Sequence, residues 1–167
     1  MDDKFNSIAE SASIAKGIND YLNHYVSVAD AKAGALAVMA ALSGSVSSYF
    51  IGDDPDNVLQ WIMKCSLFFH FLTLMTCCLI VFPRKPSRGD SVIFWEDIAQ
   101  DNECHVYQDR FELAVSNNFS SREYSSQNYY ISKVLSTKHF WLRMGIILYA
   151  VAAAITMFML NWPVAIK

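Results

Sequence analysis

Long apolar stretches alternate with polar segments along this chain. Three of them, Ala33–Ile51, Cys65–Phe82 and Met144–Leu160, contain no Asp, Glu, Lys or Arg. Each is close to the ~20 residues that a helix needs to cross the ~30 Å hydrocarbon core of a bilayer. The segment between the second and third stretches is rich in charged and aromatic residues. The pattern predicts an all-α membrane protein with three transmembrane helices and a helical insert between the second and third.

The charges outside these stretches predict how the helices are oriented. Lysine and arginine gather before the first stretch and after the second: Lys4, Lys16, Lys32, Arg84, Lys85 and Arg88. Residues 52–60 contain three aspartates and neither lysine nor arginine. Because basic residues favour the cytoplasmic side, the N-terminus and the insert are expected in the cytoplasm and the C-terminus outside (N-in, C-out).

Together these signals divide the chain into seven segments. They are a cytoplasmic amphipathic helix over 1–32 that continues into the membrane, a first span over 33–51, an outer loop over 52–60, a second span over 61–82, a cytoplasmic helical insert over 83–140, a third span over 141–162 and an outer tail over 163–167.

Turn and cap signals divide the insert further. Two prolines that follow Phe82 end the second span. The sequence then predicts a helix over Trp95–Val115, and a capping-box motif begins at Ser120. No helix breaker follows until the third span ends, so one helix of roughly 40 residues, about 60 Å at 1.5 Å per residue, is expected.

A heptad seam runs along the first helix. Its members advance alternately by three and four residues: Phe5, Ile8, Ala12, Ala15, Asn19, Leu22, Val26, Ala29 and Ala33. Asn19 is the polar member, and one polar position in such a seam can set register or oligomeric state. Two interpretations are open, namely packing against the chain's own insert and self-association between subunits.

Small residues continue this face into the first span. They permit close approach of helix backbones in lipid and include Ala40, Ser43, Gly44 and Ser47. The serines also make the outer half of this span unusually polar for a helix that faces lipid. These residues predict a homo-oligomer, which could form a pore, although a three-helix bundle within one chain would use the same residues.

Two charged residues, Asp30 and Lys32, mark the cytoplasmic end of the first span. Lysine is ordinary at this boundary, whereas aspartate is less expected there. Asp30 is therefore predicted to have a basic partner, and the nearest candidates at that depth are Arg84, Lys85 and Arg143.

Two ionisable side chains lie within the second span. Lys64 either extends toward the outer interface or lines the mouth of a pore. His70, near the middle of the span, either makes an interhelical hydrogen bond or lines a pore and senses pH.

Composition restricts the remaining functions. The net charge of −3 argues against binding of a nucleic acid polymer. The sequence shows no glycine-rich phosphate loop, nucleophile motif or metal-ligand spacing. Neither catalysis nor a metal nor a resident cofactor is expected. The four cysteines include no CxxC pair and are expected to be reduced thiols.

Short motifs occur in a characteristic order: Val28–Gly34 at the start of the first span, Phe82-Pro83-Arg84 at the end of the second, Ile93–Ile98 after it, and Tyr129–Lys133 with Lys138 before the third. Together they resemble the Pycsar-type transmembrane effectors (PycTM-like), over roughly Ala29–Leu160. Their order and placement carry the resemblance more than any single motif. It implies a multi-pass protein of the bacterial inner membrane that acts in anti-phage defence by abortive infection.

The resemblance implies an effector that oligomerises and disrupts or permeabilises the membrane when a cyclic nucleotide or a partner defence protein triggers it. The alternative is a non-pore scaffold or sensor that recruits a cytoplasmic partner. The chain has no recognisable cyclic-nucleotide-binding domain, so a nucleotide would use the insert or a subunit interface. Basic residues that could contact its phosphate are Arg84, Lys85, Arg88, Arg122, Lys133 and Lys138. Membrane topology and interface anchoring are the competing explanation of these charges.

Overall fold

The computed structural model is all-α in the residues that it describes, which are 2–51, 58–82, 98, 103–116 and 120–161. Four helices are defined in this part of the chain: α1 (Asp2–Tyr49), α2 (Val58–Val81), α3 (Cys104–Ser116) and α4 (Ser120–Asn161). α1, α2 and α4 each contain a stretch that is long and apolar enough to cross a membrane. The expected all-α fold with three candidate spans is confirmed, and the N-in, C-out topology stays a prediction.

α4 is one continuous helix of 42 residues. It begins at Ser120, where the capping motif predicts a start, and continues to Asn161. The sequence between these residues contains no proline and a single glycine, Gly145, so nothing in it interrupts the backbone hydrogen bonds. The expected long helix through the third span is confirmed.

The sequence predicts one helix over Trp95–Val115, but the structure interrupts it at Glu103. Glu103 lies outside any helix, and α3 begins at Cys104. The amide of Val106 donates to the Glu103 carbonyl at 3.2 Å. The short polar side chains just before Glu103 favour helix starts over helix interiors because they compete for backbone hydrogen bonds. The part of the predicted helix before Glu103, apart from Ile98, lies outside the described residues.

The described helices form two compact units. The first, here called the insert unit, contains α1 up to Ser27, α3, and α4 up to Ser136. The second, here called the transmembrane unit, contains α1 from Val28, all of α2, and α4 from Thr137. All three candidate spans contribute to the transmembrane unit, whereas α3 belongs to the insert unit alone.

A cluster of apolar side chains closes one end of the transmembrane unit. This apolar cluster consists of Ala33, Leu36, Cys77, Ile80 and Leu142. Its members come from the start of the span in α1, the end of α2 and the start of the span in α4, so they share one membrane depth. In lipid, such a cluster is stabilised by close van der Waals packing, because lipid chains are as apolar as the side chains themselves.

From Ala12 onward, the heptad seam of α1 faces the interior in both units. Ala15 and Asn19 are buried in the insert unit, and Ala29, Ala33 and Ala40 are buried in the transmembrane unit. The chain's own helices therefore cover this part of the seam. Packing within one chain is confirmed for these residues, and self-association stays a prediction.

Candidate functional site

Three hydroxyl side chains meet inside the transmembrane unit, one from each helix. Thr156 Oγ1 on α4 lies 2.8 Å from Ser47 Oγ on α1 and 2.8 Å from Ser66 Oγ on α2. Ser66 also donates to the Ala152 carbonyl at 2.9 Å. All three hydroxyl residues are buried. Together with His70 they form what we call the polar seam.

Two of the three hydroxyls bond to the backbone of their own helix. Ser47 donates to the Ser43 carbonyl at 3.0 Å, and Thr156 donates to the Ala152 carbonyl at 3.0 Å. Such back-bonding satisfies the hydroxyl in lipid, where no water is present. The interhelical contacts are modest in strength, since such bonds average about 0.6 kcal/mol in membrane proteins.

His70 is the fourth member of the polar seam. It is 1% exposed, and its Nδ1 lies 3.4 Å from Ser43 Oγ on α1. Ser43 donates its single hydroxyl proton to the Met39 carbonyl at 2.7 Å, so we assign the donor role in the His70–Ser43 contact to His70 Nδ1. His70 Nε2 is then an unprotonated acceptor, and it has no hydrogen-bond partner in the described part of the chain.

Gly44 of α1 packs against His70. A Cβ at this position would stand 3.4 Å from His70 Cβ, which is ordinary van der Waals contact. On the α4 side, the Tyr149 ring lies 5.9 Å from the His70 ring. The His70 side chain is thus enclosed by all three helices, as expected for an interhelical residue.

An open groove of about 680 Å³ runs between α1 and α2. Ala40, Gly44, Lys64, His70 and Phe71 are among its lining residues. The Lys64 ammonium lies 4.8 Å from the centre of the Trp61 ring. This cation–π contact holds the charge beside an aromatic side chain of the kind that marks the membrane interface.

A buried ion pair joins α1 to α4 where their candidate spans begin. Lys138 Nζ donates to the Asp30 carboxylate. The Lys138 side chain is 5% exposed and that of Asp30 is 35% exposed. The predicted basic partner of Asp30 is confirmed, but the residue is Lys138. Of the three cations named from the sequence, Arg143 is exposed and the other two lie outside the described residues.

A chain of asparagines joins α1 to α4 within the insert unit. Asn19 Nδ2 donates to Asn128 Oδ1 at 3.0 Å, and Asn128 Nδ2 donates to the Ala15 carbonyl at 2.9 Å. Asn23 Nδ2 donates to Asn19 Oδ1 at 2.8 Å. These bonds require one particular register between the two helices, which is the role that a polar residue can play in a heptad seam.

The family comparison covers nearly all of this architecture. The model of the Pycsar effector protein domain (PycTM) matches residues 14–165. The chain belongs to the PycTM family. A comparison with curated proteins and a comparison with solved structures each gave no match. The matched region includes all three candidate spans of this PycTM member, the ion pair and the polar seam. Pycsar effectors act in anti-phage defence and respond to cyclic nucleotides.

The predicted phosphate contacts of this PycTM member do not form one cluster in the described residues. Arg122 and Lys133 are exposed on α4, about 16 Å apart along the helix at 1.5 Å per residue. Lys133 Nζ lies 5.4 Å from the Tyr129 ring. Lys138 is buried and already neutralised by Asp30. The other three fall outside the described residues: Arg84, Lys85 and Arg88.

Most of the remaining predicted site residues are buried. Asn19, Ala40, Ser47 and His70 are buried, and Gly44 packs against His70. Ser43 is half-buried and contacts His70, whereas Lys32 is exposed. The described residues contain no group of three His, Cys, Asp or Glu side chains that could hold a metal ion.

Sequence reasoning missed Ser66, Thr156 and Asn128. A usable signal exists for Thr156, because it is the only hydroxyl residue in the apolar stretch Met144–Leu160 apart from Tyr149. Polar residues within a span usually face the bundle interior. Asn128 has no comparable signal, since it lies among many polar residues.

Replacing Asn128 with leucine should destabilise the insert unit by about 1–3 kcal/mol, because the buried Asn19 amide loses its acceptor. Amide hydrogen exchange along α1, measured on the full chain in nanodiscs, would show faster exchange around Ala15. Asn23→Ala is the matched control, since Asn23 is exposed and water can replace its contact. Equal effects of the two substitutions would contradict a register role for Asn128.

Proposed function

We propose that this PycTM chain is an effector of the bacterial inner membrane that stays closed at rest and permeabilises the membrane when triggered. The trigger is a cyclic nucleotide or a partner defence protein. The observation that carries the proposal is the interior of the transmembrane unit, where three candidate spans meet around hydroxyl groups and a histidine. The family match supports the setting, which is anti-phage defence.

A plain membrane anchor has no need of such an interior. Polar side chains in a span are costly to insert and usually mark a pathway or a site. Here Ser47, Ser66, His70 and Thr156 are almost fully buried, and they are supplied by all three spans. Small residues such as Ala40 and Gly44 allow the helices to approach, so the hydroxyl groups of different spans come within hydrogen-bond distance of one another.

The proposal retains the expected N-in, C-out topology and the expected homo-oligomer. In that topology the insert unit lies in the cytoplasm, where a nucleotide signal would arise. Packed helices lie about 8–10 Å apart, so the interior of a single three-helix bundle does not hold a wide pore. A wide opening therefore requires more than one copy of the chain, although its small-residue face is covered within the subunit.

Inside-out membrane vesicles that contain the full chain test the nucleotide trigger. With the insert exposed to the bath, one member of a panel of cyclic nucleoside monophosphates should collapse the membrane potential, as reported by a potential-sensitive dye. The matched linear 5′-monophosphates and vesicles without the chain serve as controls. Phage infection of whole cells carrying the same dye tests the protein trigger. Intact potential in both experiments would contradict the proposed function.

A second candidate function is a membrane scaffold whose insert unit recruits a cytoplasmic partner. One observation favours it. Ile14, Ile18, Tyr21 and Tyr25 are spaced alternately by four and three residues on α1 and are all exposed. This apolar stripe lies on a different face from the buried seam. A scaffold predicts that infected cells keep their potential while substituting serine for Ile14 and Ile18 abolishes protection against phage.

A further inference from the structure

The three hydroxyls of the polar seam, here called the hydroxyl cluster, have fewer protons than they have short oxygen–oxygen contacts. Ser47, Ser66 and Thr156 carry one hydroxyl proton each. Yet five O···O distances of 3.0 Å or less join these hydroxyls to one another and to the carbonyls of Ser43 and Ala152. Three protons can form only three of these five hydrogen bonds at one moment. The cluster therefore has acceptor capacity left over.

His70 also has more hydrogen-bond acceptors around it than donors. The proton of Ser43 is directed to the Met39 carbonyl, so the Ser43 oxygen accepts from His70 Nδ1. His70 Nε2 then presents a lone pair with no donor in the described residues. A buried acceptor without a partner costs about 1–3 kcal/mol. What this interior lacks is hydrogen-bond donors or positive charge.

Water and small cations supply what is missing. A water molecule brings two donors, and a cation is bound by hydroxyl oxygens whose lone pairs accept no hydrogen bond. An anion would meet mainly acceptors and would be disfavoured. Among the described residues, Lys64 is the one basic side chain that lines the adjacent groove. Its ammonium lies over the Trp61 ring, and within the described part of the chain it has no hydrogen bond to the hydroxyl cluster.

The apolar cluster stands at the other end of this interior. Leu36, Ile80 and Leu142, one from each span, fill the bundle just beyond the boundary that Asp30 and Lys138 mark. Apolar constrictions of this kind block ions because water does not stably occupy them. Thr73 and Thr76 of α2 are also buried, but each donates its hydroxyl proton to a carbonyl of its own helix. The polar seam therefore lies in one part of the interior, and mainly apolar side chains fill the part beside the ion pair.

We infer that the polar seam (Ser47, Ser66, His70 and Thr156) is a latent path for water and small cations, and that the apolar cluster is its gate. This inference rests on the proposed function, because it names the interior surface that the triggered effector exposes to water. In the resting bundle the gate keeps the seam dry, and wetting the gate is sufficient to let K⁺ pass.

A pair of substitutions at Ile80 separates wetting from loss of packing. Valine and threonine have nearly the same shape, so Ile80→Val and Ile80→Thr leave the same space and differ in one hydroxyl. Each full-length variant is reconstituted in liposomes loaded with K⁺ and diluted into K⁺-free buffer with a protonophore. A pH-sensitive dye reports the flux. Ile80→Thr should leak K⁺ at least an order of magnitude faster than Ile80→Val, without any trigger.

Three controls locate the effect. Leu79→Thr, one residue away on the exposed face of α2, should leave the leak at the wild-type rate. Adding Thr156→Val to Ile80→Thr removes a seam hydroxyl and should lower the leak, whereas adding Met157→Val at an exposed position should not. A chloride gradient with an impermeant organic cation should dissipate more slowly than the K⁺ gradient in Ile80→Thr.

Several outcomes would overturn the inference. These are equal leaks from Ile80→Thr and Ile80→Val, a leak that Thr156→Val does not reduce, or chloride flux that matches K⁺ flux. If Ile80→Thr does not reconstitute, the pair Leu142→Asn and Leu142→Ala tests the same gate from α4. Their equality would also refute it.

The same experiments test the proposed function and the gated path independently of each other. If infected cells depolarise but Ile80→Thr and Ile80→Val leak K⁺ equally, the protein is a membrane effector that uses another path. If Ile80→Thr leaks K⁺ faster than Ile80→Val but infected cells keep their membrane potential, the gated path exists and infection does not open it.

Discussion

Replacing Asp30 with asparagine should lower the free energy of unfolding of the transmembrane unit by about 3 kcal/mol, because it leaves a buried charge without its counter-ion. The Lys138 side chain is only 5% exposed and cannot reach water without moving α4. Titration of the full chain with SDS in mixed micelles, followed by circular dichroism, measures this change.

The reverse substitution should be milder. Lys138→Met leaves the Asp30 carboxylate alone, but that side chain is 35% exposed and can be solvated. The double variant Asp30→Asn, Lys138→Met buries no charge and should be more stable than Asp30→Asn, since a buried ion pair and an apolar pair are often close in stability. Additive losses from the two single variants would show that the pair is not coupled.

Replacing Gly145 with alanine should destabilise the same unit by about 1–3 kcal/mol, the usual cost of overpacking. The added Cβ would stand 2.7 Å from Thr76 Oγ1 and 3.1 Å from Leu36 Cδ2. Thr76 cannot easily move away, because its hydroxyl donates to the Thr73 carbonyl at 2.7 Å and its χ1 is restricted by β-branching. α4 must therefore shift away from α2.

Gly34→Ala provides the matched control within the same unit. Gly34 is also helical, but a Cβ there meets nothing within 4 Å. Alanine should stabilise α1 at this position by roughly 0.5–1 kcal/mol, because glycine loses more backbone entropy on folding. The same SDS titration should thus move in opposite directions for the two variants. A loss for Gly34→Ala as large as that for Gly145→Ala would contradict the packing argument.

Both predictions concern contacts that hold α4 against its neighbours. Asp30 holds it to α1 beside the gate, and Gly145 lets it approach α2 and Leu36 within the gate. If the apolar cluster is the gate, Gly145→Ala should also raise the K⁺ leak of liposomes, because it displaces α4 from Leu36. Gly34→Ala should leave the leak unchanged.

Much of the fold could be predicted from the sequence because its signals are local. Three uncharged apolar stretches predict three candidate spans, and the capping motif at Ser120 together with the absence of proline predicts the length of α4. The heptad spacing around Asn19 correctly predicts the buried face of α1. Each of these depends on residues within a few turns of one another, so no knowledge of neighbouring helices is needed.

The tertiary structure decided which residues share the interior. Asp30 and Lys138 are 108 positions apart, and Ser47 and Thr156 are 109 positions apart. Whether such residues meet depends on the register and rotation of whole helices, and a change of one residue in either turns a side chain by about 100°. For that reason the sequence identified Asp30 and His70 as unusual. Only the packed helices showed that Lys138 pairs with Asp30 and that His70 Nε2 has no hydrogen-bond partner among the described residues.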